Sequence, residues 1–209
     1  MPDKFRNKYR ISSARLQNWD YGRHAAYFVT ICTQGREHYF GHVVDGEMHL
    51  SAIGEIAQTE WLKTFDLRPD MNLTMGEYII MPNHFHAIII IGENRYNTDG
   101  GNENGDGGGD GHVETQCIAS LLPQTPEQTQ YIASLPPANQ FGPQRKNLAS
   151  IIRGFKIGVT TRARKINPGF AWQSRYHEHI IRNNASFERI CNYIISNPEN
   201  WDADRNKTD

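Results

Sequence analysis

The sequence predicts an α+β fold built on an antiparallel sheet. Three observations lead there. Several apolar runs have strand length and are rich in β-branched and aromatic residues, Asp45-Gly46 marks a hairpin between short strand-like pieces, and three stretches keep amphipathic helical spacing.

Taken in order, "AYFVTICT" (26–33) reads as the first long strand. "HYFGHVVDGEMHLS" (38–51) folds back on itself at Asp45-Gly46, a two-residue turn signal. From Ala52 to about Phe65, the residues Ile53, Ile56, Ala57, Trp61, Leu62 and Phe65 recur on one helical face. "LTMGEYIIM" (73–81) and "HFHAIIII" (84–91) are paired strands joined through Pro82-Asn83, and the apolar run 87–91 suits a central strand. Leu148, Ile151, Ile152, Phe155 and Val159 then share one stripe of a helix over 147–165, which Asn167-Pro168-Gly169 ends. "FAWQSRYHEHIIRN" (170–183) reads as an extended connection. The last helix runs from about Ala185 to Ser196, capped by Asn184 or Ser186 and stopped by Asn197-Pro198, with Phe187, Ile190, Cys191, Ile194 and Ile195 as its core stripe.

Between these ordered halves, residues 93–143 break the pattern. Seven of the twelve residues 100–111 are glycine, and prolines and glutamines follow. Such a stretch buries too little apolar area to offset its ordering entropy, so a flexible insertion within one domain (1–209) is expected. It lacks the Lys-Ser/Thr ending of a phosphate-cradling loop and carries acids that repel phosphate.

Composition narrows the function classes. No apolar run is long enough to span a bilayer, and the opening "MPDKFRNKYR" has no signal-peptide core. Cys32, Cys117 and Cys191 form no CxxC pair, which argues against a disulfide framework or zinc-thiolate site and for a reducing, cytoplasmic compartment. The net charge of −1 hides an asymmetry: nine Lys or Arg against Glu178 alone lie between Arg145 and Arg182. The first 24 residues add six more basic residues against two acids, while 93–110 holds five acids. Two basic stretches point towards a polyanion.

The chemistry-bearing residues are fewer. Side chains alternate along a strand, so His84 and His86 project together while Phe85 and Ala87 face the other way. Paired neutral imidazoles suit a metal ion, and they equally suit packing or local hydrogen bonding on a sheet face. On the last helix, Tyr193 and Asn197 sit one turn apart beside the apolar stripe, where a tyrosine either reaches a cleft or packs with a wet tip.

"YIIMPNHFHAIIII", "WQSRYHEHIIRN", "YIISNPENW" and the N-terminal "YFVTICTQGRE", in this order, resemble the REP-associated tyrosine transposases. These are single-tyrosine transposases of the insertion-sequence 200/605 type, named HUH for a His, hydrophobic, His motif, here His84, Phe85 and His86. The resemblance implies a ferredoxin-like fold, similar to an RNA-recognition (RRM-like) sheet, with helices on one face. It implies cleavage and rejoining of single-stranded DNA, often near a hairpin, through a tyrosine linked to the 5′ phosphate. Tyr193 matches the nucleophile, with Tyr176 as second choice. His84, His86 and Asn197 match the ligands of a divalent ion, Mg²⁺ or Mn²⁺. Such enzymes work as monomers or homodimers.

By position, Arg153, Lys156, Arg162, Arg164 and Arg175 are the expected phosphate contacts, and Phe85 or Trp172 the expected base-stacking residues. His177 and His179 either orient DNA or pack, and packing is the preferred reading. Two other functions compete. A histidine-triad hydrolase needs a third alternating histidine, but that position is Ile88. A non-catalytic nucleic-acid binder would share the sheet and basic helix without metal or covalent adduct.

Overall fold

The computed structural model describes residues 4–5, 8–9, 19–97, 145–204 and 206–207. From residue 98 onward, the expected insertion over 93–143 lies outside the described residues. Two short antiparallel strands, β1 (Lys4–Phe5) and β2 (Lys8–Tyr9), open the chain. There follow β3 (Ala25–Cys32), a hairpin of β4 (Gly41–Val44) and β5 (Glu47–Leu50), and α1 (Ala52–Asp66). Next come β6 (Leu73–Met81), β7 (His84–Ile91), α2 (Leu148–Ala163), β8 (His177–Ile181) and α3 (Asn184–Ile195).

Local chemistry explains most boundaries. The β4–β5 turn has positive φ at both Asp45 (50°) and Gly46 (77°), as the favoured hairpin turn requires. Ser51 caps α1 by accepting from the Gly54 amide, and Asn147 and Ser150 form a reciprocal capping box at α2. The cap of α3 is Asn183, whose side chain accepts from the Ser186 amide at 2.8 Å; neither Asn184 nor Ser186 takes that role. Asn183 has the extended backbone that a cap needs, whereas Asn184 is already helical.

The main sheet has the order β6-β7-β3-β8, with every neighbouring pair antiparallel. With α1 between β3 and β6, and α2 between β7 and β8, this is the βαββαβ arrangement of a ferredoxin-like fold. The segment expected as a plain connection therefore contains the edge strand β8, pairing His177 with Thr30 and Ile181 with Ala26. Its polar alternation, "HEHII", hid an edge strand that is solvated on one side.

Alternation divides the sheet into two faces. On one, Tyr27, Val29, Ile31, Phe85, Ala87 and Ile89 pack with α1 and α2 around Trp61. Phe85 lies edge-on to Trp61 at 4.9 Å. On the other, Ala26, Phe28, Ile88, Ile90 and Ile181 meet Ile190 and Ile194 of α3. The core stripe of α3 is narrower than the spacing predicts: Ile195 is 61% exposed, because it lies beyond the edge of the apolar strip that the sheet presents. Gly76 sits at the β6 irregularity, where a Cβ would come within 2.8 Å of Ile88, so β6 can approach β7 there only with glycine.

Asp70 joins the two sides of the insertion. It accepts from Tyr96 Oη at 2.7 Å near the start of that segment and pairs with Lys146 just after it. These donors, Lys146 first, hold its carboxyl down at about 2.

Candidate active site

Both histidines open β7 on the face covered by α3, and both are fully buried. Antiparallel register sets Cys32 opposite His84 and Thr30 opposite His86, and the two imidazole centroids are 4.5 Å apart. Each ring is oriented through its Nδ1. Asn83 Nδ2 donates to the Asn206 carbonyl at 2.9 Å, so Asn83 Oδ1 is left to accept from His84 Nδ1–H at 2.8 Å. The neutral His84 ring then carries its lone pair at Nε2. His86 Nδ1 lies 2.8 Å from Thr30 Oγ1, which can accept its proton in the same manner. Partners that hold one ring nitrogen in this way orient metal-binding histidines and raise their basicity.

The helix α3 brings up the tyrosine. Tyr193 Oη lies 3.2 Å from His86 Nε2, and the residue is 39% exposed at the mouth of the site. Phe28 fixes both groups: it stacks on His86 at 5.3 Å and meets Tyr193 edge-on at 6.1 Å. Asn197, one turn later, is buried.

A fourth element arrives from the C-terminal end. A 3₁₀ turn, Trp201–Ala203, stacks Trp201 over His84 at 6.0 Å, and Asp204 follows it. Asp204 Oδ1 accepts from the Asn206 amide at 2.6 Å, while Oδ2 lies 3.8 Å from His84 Nε2. Arg36 Nη1 donates to Asn206 Oδ1 at 2.7 Å and ties this segment to the turn after β3.

His84, His86 and Asp204 each present one ligand atom within 4.8 Å of the others. Asn197 Oδ1 and Asp204 Oδ2 are buried without a hydrogen-bond partner among the described residues. A buried carboxylate oxygen in that condition is costly, and a divalent cation is the group that would satisfy it. Imidazole nitrogen with carboxylate and amide oxygen suits Mn²⁺ or a related ion better than a thiolate-seeking one. The residues therefore fit a metal ion.

Of the residues expected from sequence, His84, His86 and Tyr193 come together here, and Asn197 lies just past the end of α3. Tyr176 does not join them. It precedes His177 on β8 and packs against the α1–α2 face, lining a cleft of about 420 Å³ with Arg153 and Lys156. The expected phosphate contacts lie largely on that same far face. Lys156 is half-buried and donates to the Gln173 carbonyl at 2.5 Å; Arg162 pairs with Glu60 at 2.8 Å; Arg164 donates to the Phe170 carbonyl at 3.0 Å. Arg175 is exposed just before β8. Phe85 has no surface for a base, being sealed among Trp61, Tyr78 and Phe155. Trp172 packs on Phe40, Phe155 and Phe170 and donates to the Lys156 carbonyl, so it is largely a core residue. His177 and His179 do not pack; both are exposed.

Three contributors escaped the sequence reading. Asn83 looks like a turn residue, Thr30 becomes visible only through strand register, and Asp204 follows a tryptophan with no motif around it.

No known family profile matches the chain. An uncharacterized protein of Haemophilus influenzae is 32% identical over 194 residues, which is 92% of this chain and 91% of that protein. Among solved structures, a REP-associated tyrosine transposase bound to a REP hairpin is similar in fold, with a TM-score of 0.51 and 16% identity. That match covers 91% of this chain and 74% of that one. A Deinococcus radiodurans structure, 12% identical with a TM-score of 0.34, is too distant to carry an argument.

Proposed function

We propose, for a chain that belongs to one family with the uncharacterized Haemophilus influenzae protein, a function in breaking and rejoining single-stranded DNA through a phosphotyrosine. The observation that carries this reading is the Tyr193 hydroxyl, 3.2 Å from His86 Nε2 beside a second oriented histidine. The shared fold with a hairpin-bound transposase supports DNA as substrate and a hairpin as its form. The phenol oxygen attacks the phosphorus, the bond from phosphorus to the 3′ oxygen breaks, and the strand leaves with a 3′ hydroxyl. The phenol proton passes to solvent, and the departing oxygen takes one up. Because the phosphotyrosine keeps the energy of the broken bond, a 3′ hydroxyl can reverse the step and join strands.

His84, His86 and Asp204 would hold a divalent ion such as Mg²⁺ or Mn²⁺, with the orphaned Oδ1 of Asn197 as a further candidate ligand. Bound there, it would neutralise phosphate oxygens and polarise the tyrosine, whose ordinary pKa near 10 makes it a poor nucleophile at neutral pH. Asn83 and Thr30 keep the imidazoles in the ligating tautomer. Phe28 holds Tyr193 against the histidine pair and excludes water from behind it.

The test is a denaturing gel of the protein with labelled hairpin-bearing single strands from the DNA flanking its gene, with and without Mn²⁺. A metal-dependent adduct that survives denaturation and disappears in Tyr193→Phe supports the proposal. Binding without any adduct would instead favour a non-catalytic nucleic-acid binder.

A further inference from the structure

The faces of the sheet differ in charge around the tyrosine, and the difference suggests a path for DNA. The basic residues of α2 lie across the sheet from Tyr193. On the tyrosine's own face, β8 carries His177 directly opposite Thr30 and His179 directly opposite Phe28. Thr30 bonds His86, and Phe28 contacts Tyr193, so each β8 histidine stands one strand away from a residue that touches the site. Neighbouring strands are about 4.8 Å apart, which puts both imidazoles within one or two nucleotides of the tyrosine. Both are exposed, where packing would have buried them.

Two arginines lie within electrostatic reach of His179. Arg182 follows β8, and Arg189 lies one helical turn before Tyr193 on the same flank of α3. Arg189 donates to Ser186 Oγ at 3.0 Å, which orients its guanidinium without neutralising it. Among the described residues, neither arginine has a carboxylate partner. Partial desolvation pushes the His179 pKa down, and His177, Arg182 and Arg189 add to the effect, so the four groups share one electrostatic neighbourhood. The opposite flank of α3 has the other sign: burial pushes the Cys191 thiol up there, with Glu77 and Glu188 contributing. An anionic strand would be drawn to one flank of the nucleophile and repelled from the other.

We infer that His177, His179, Arg182 and Arg189 form a phosphate-binding track along which the backbone of a single DNA strand reaches Tyr193. This rests on the function proposed above and adds a direction of approach, over the β8 edge. The histidines donate hydrogen bonds to phosphate oxygens, and the arginines supply the charge that displaces counterions.

Salt dependence of binding reads such contacts without requiring cleavage. The probe is a fluorescein-labelled single-stranded DNA of randomised sequence, followed by anisotropy over a range of salt concentrations without divalent metal. For single strands the slope of log affinity against log salt falls by about 0.7 for each phosphate that is no longer neutralised. Arg182→Ala/Arg189→Ala should lower the slope by about 1.4, while the Lys/Lys version keeps it. His177→Ala/His179→Ala should weaken binding at neutral pH and leave the slope nearly unchanged. Arg153→Ala/Arg162→Ala, on the far face, should change neither quantity. An unchanged slope in Arg182→Ala/Arg189→Ala, or a slope reduced only in the α2 variant, overturns the track even if Tyr193 still forms its DNA adduct. A wild-type protein that binds no single-stranded DNA overturns both the track and the proposed function.

Discussion

Replacing Thr30 by valine keeps its shape and removes one hydroxyl, the group 2.8 Å from His86 Nδ1 in a fully buried ring. Two costs follow. Leaving a buried nitrogen without its partner destabilises the fold by about 1–3 kcal/mol. The imidazole also loses what fixes its tautomer and orientation, and loss of such a partner weakens metal binding by roughly 10- to 100-fold. At 1.4 kcal/mol per factor of ten, that is about 1.4–2.8 kcal/mol, the same size as the hydrogen-bond cost, as expected if one bond underlies both. Isothermal titration with Mn²⁺ measures the affinity, and urea denaturation of the metal-free protein measures the stability. Thr64→Val is the control: equally buried, its hydroxyl bonds the Glu60 carbonyl within α1 on the other face, so Mn²⁺ affinity should not move. A Thr30→Val protein that binds Mn²⁺ as tightly as wild type would refute the argument that His86 is a ligand held by Thr30.

Asp204→Asn retains the oxygen that accepts from the Asn206 amide but replaces the carboxylate charge, so Mn²⁺ affinity in the same titration should fall at least as far as in Thr30→Val. Phe85→Ala should lose about 3–5 kcal/mol in urea denaturation while the folded fraction binds single-stranded DNA as wild type does, because the ring is core and not a stacking platform. Asp70 has a depressed pKa, so its stabilising contribution is present above the unfolded carboxyl value near 3.9 and lost as pH falls towards about 2. Acid denaturation followed by circular dichroism should therefore show a shallower loss of stability over that window in Asp70→Asn than in wild type.

What the sequence makes legible follows its physics. Strands with β-branched runs, the Asp45-Gly46 turn and the helices with wide apolar stripes all emerge near their expected bounds, because each signal is local. The β8 strand does not, since "HEHII" sits at an edge with one wet face and its pairing with β3 is a long-range fact. The same divide runs through the site. His84 and His86 are visible by alternation within one strand, and Tyr193 and Asn197 by four-residue spacing across the end of one helix. Thr30 and Asp204 act through contacts between segments far apart in the chain, and Asn83, though next to His84, is oriented by the distant Asn206, which no spacing rule reaches. The basic stretch 145–182 shows why charge counts mislead about surfaces: α2 carries much of it to the far side of the sheet. Arg182, just after β8, and Arg189, on α3, are not part of that far-side set.

Mass spectrometry of the adduct identifies the residue that carries the DNA. The protein is incubated with Mn²⁺ and flanking single-stranded DNA, then digested with nuclease and trypsin. A nucleotide mass is expected on the peptide from Ile190 to Arg205, localised to Tyr193. A nucleotide on the peptide from Tyr176 to Arg182, or DNA cleaved with no peptide modified, would contradict it.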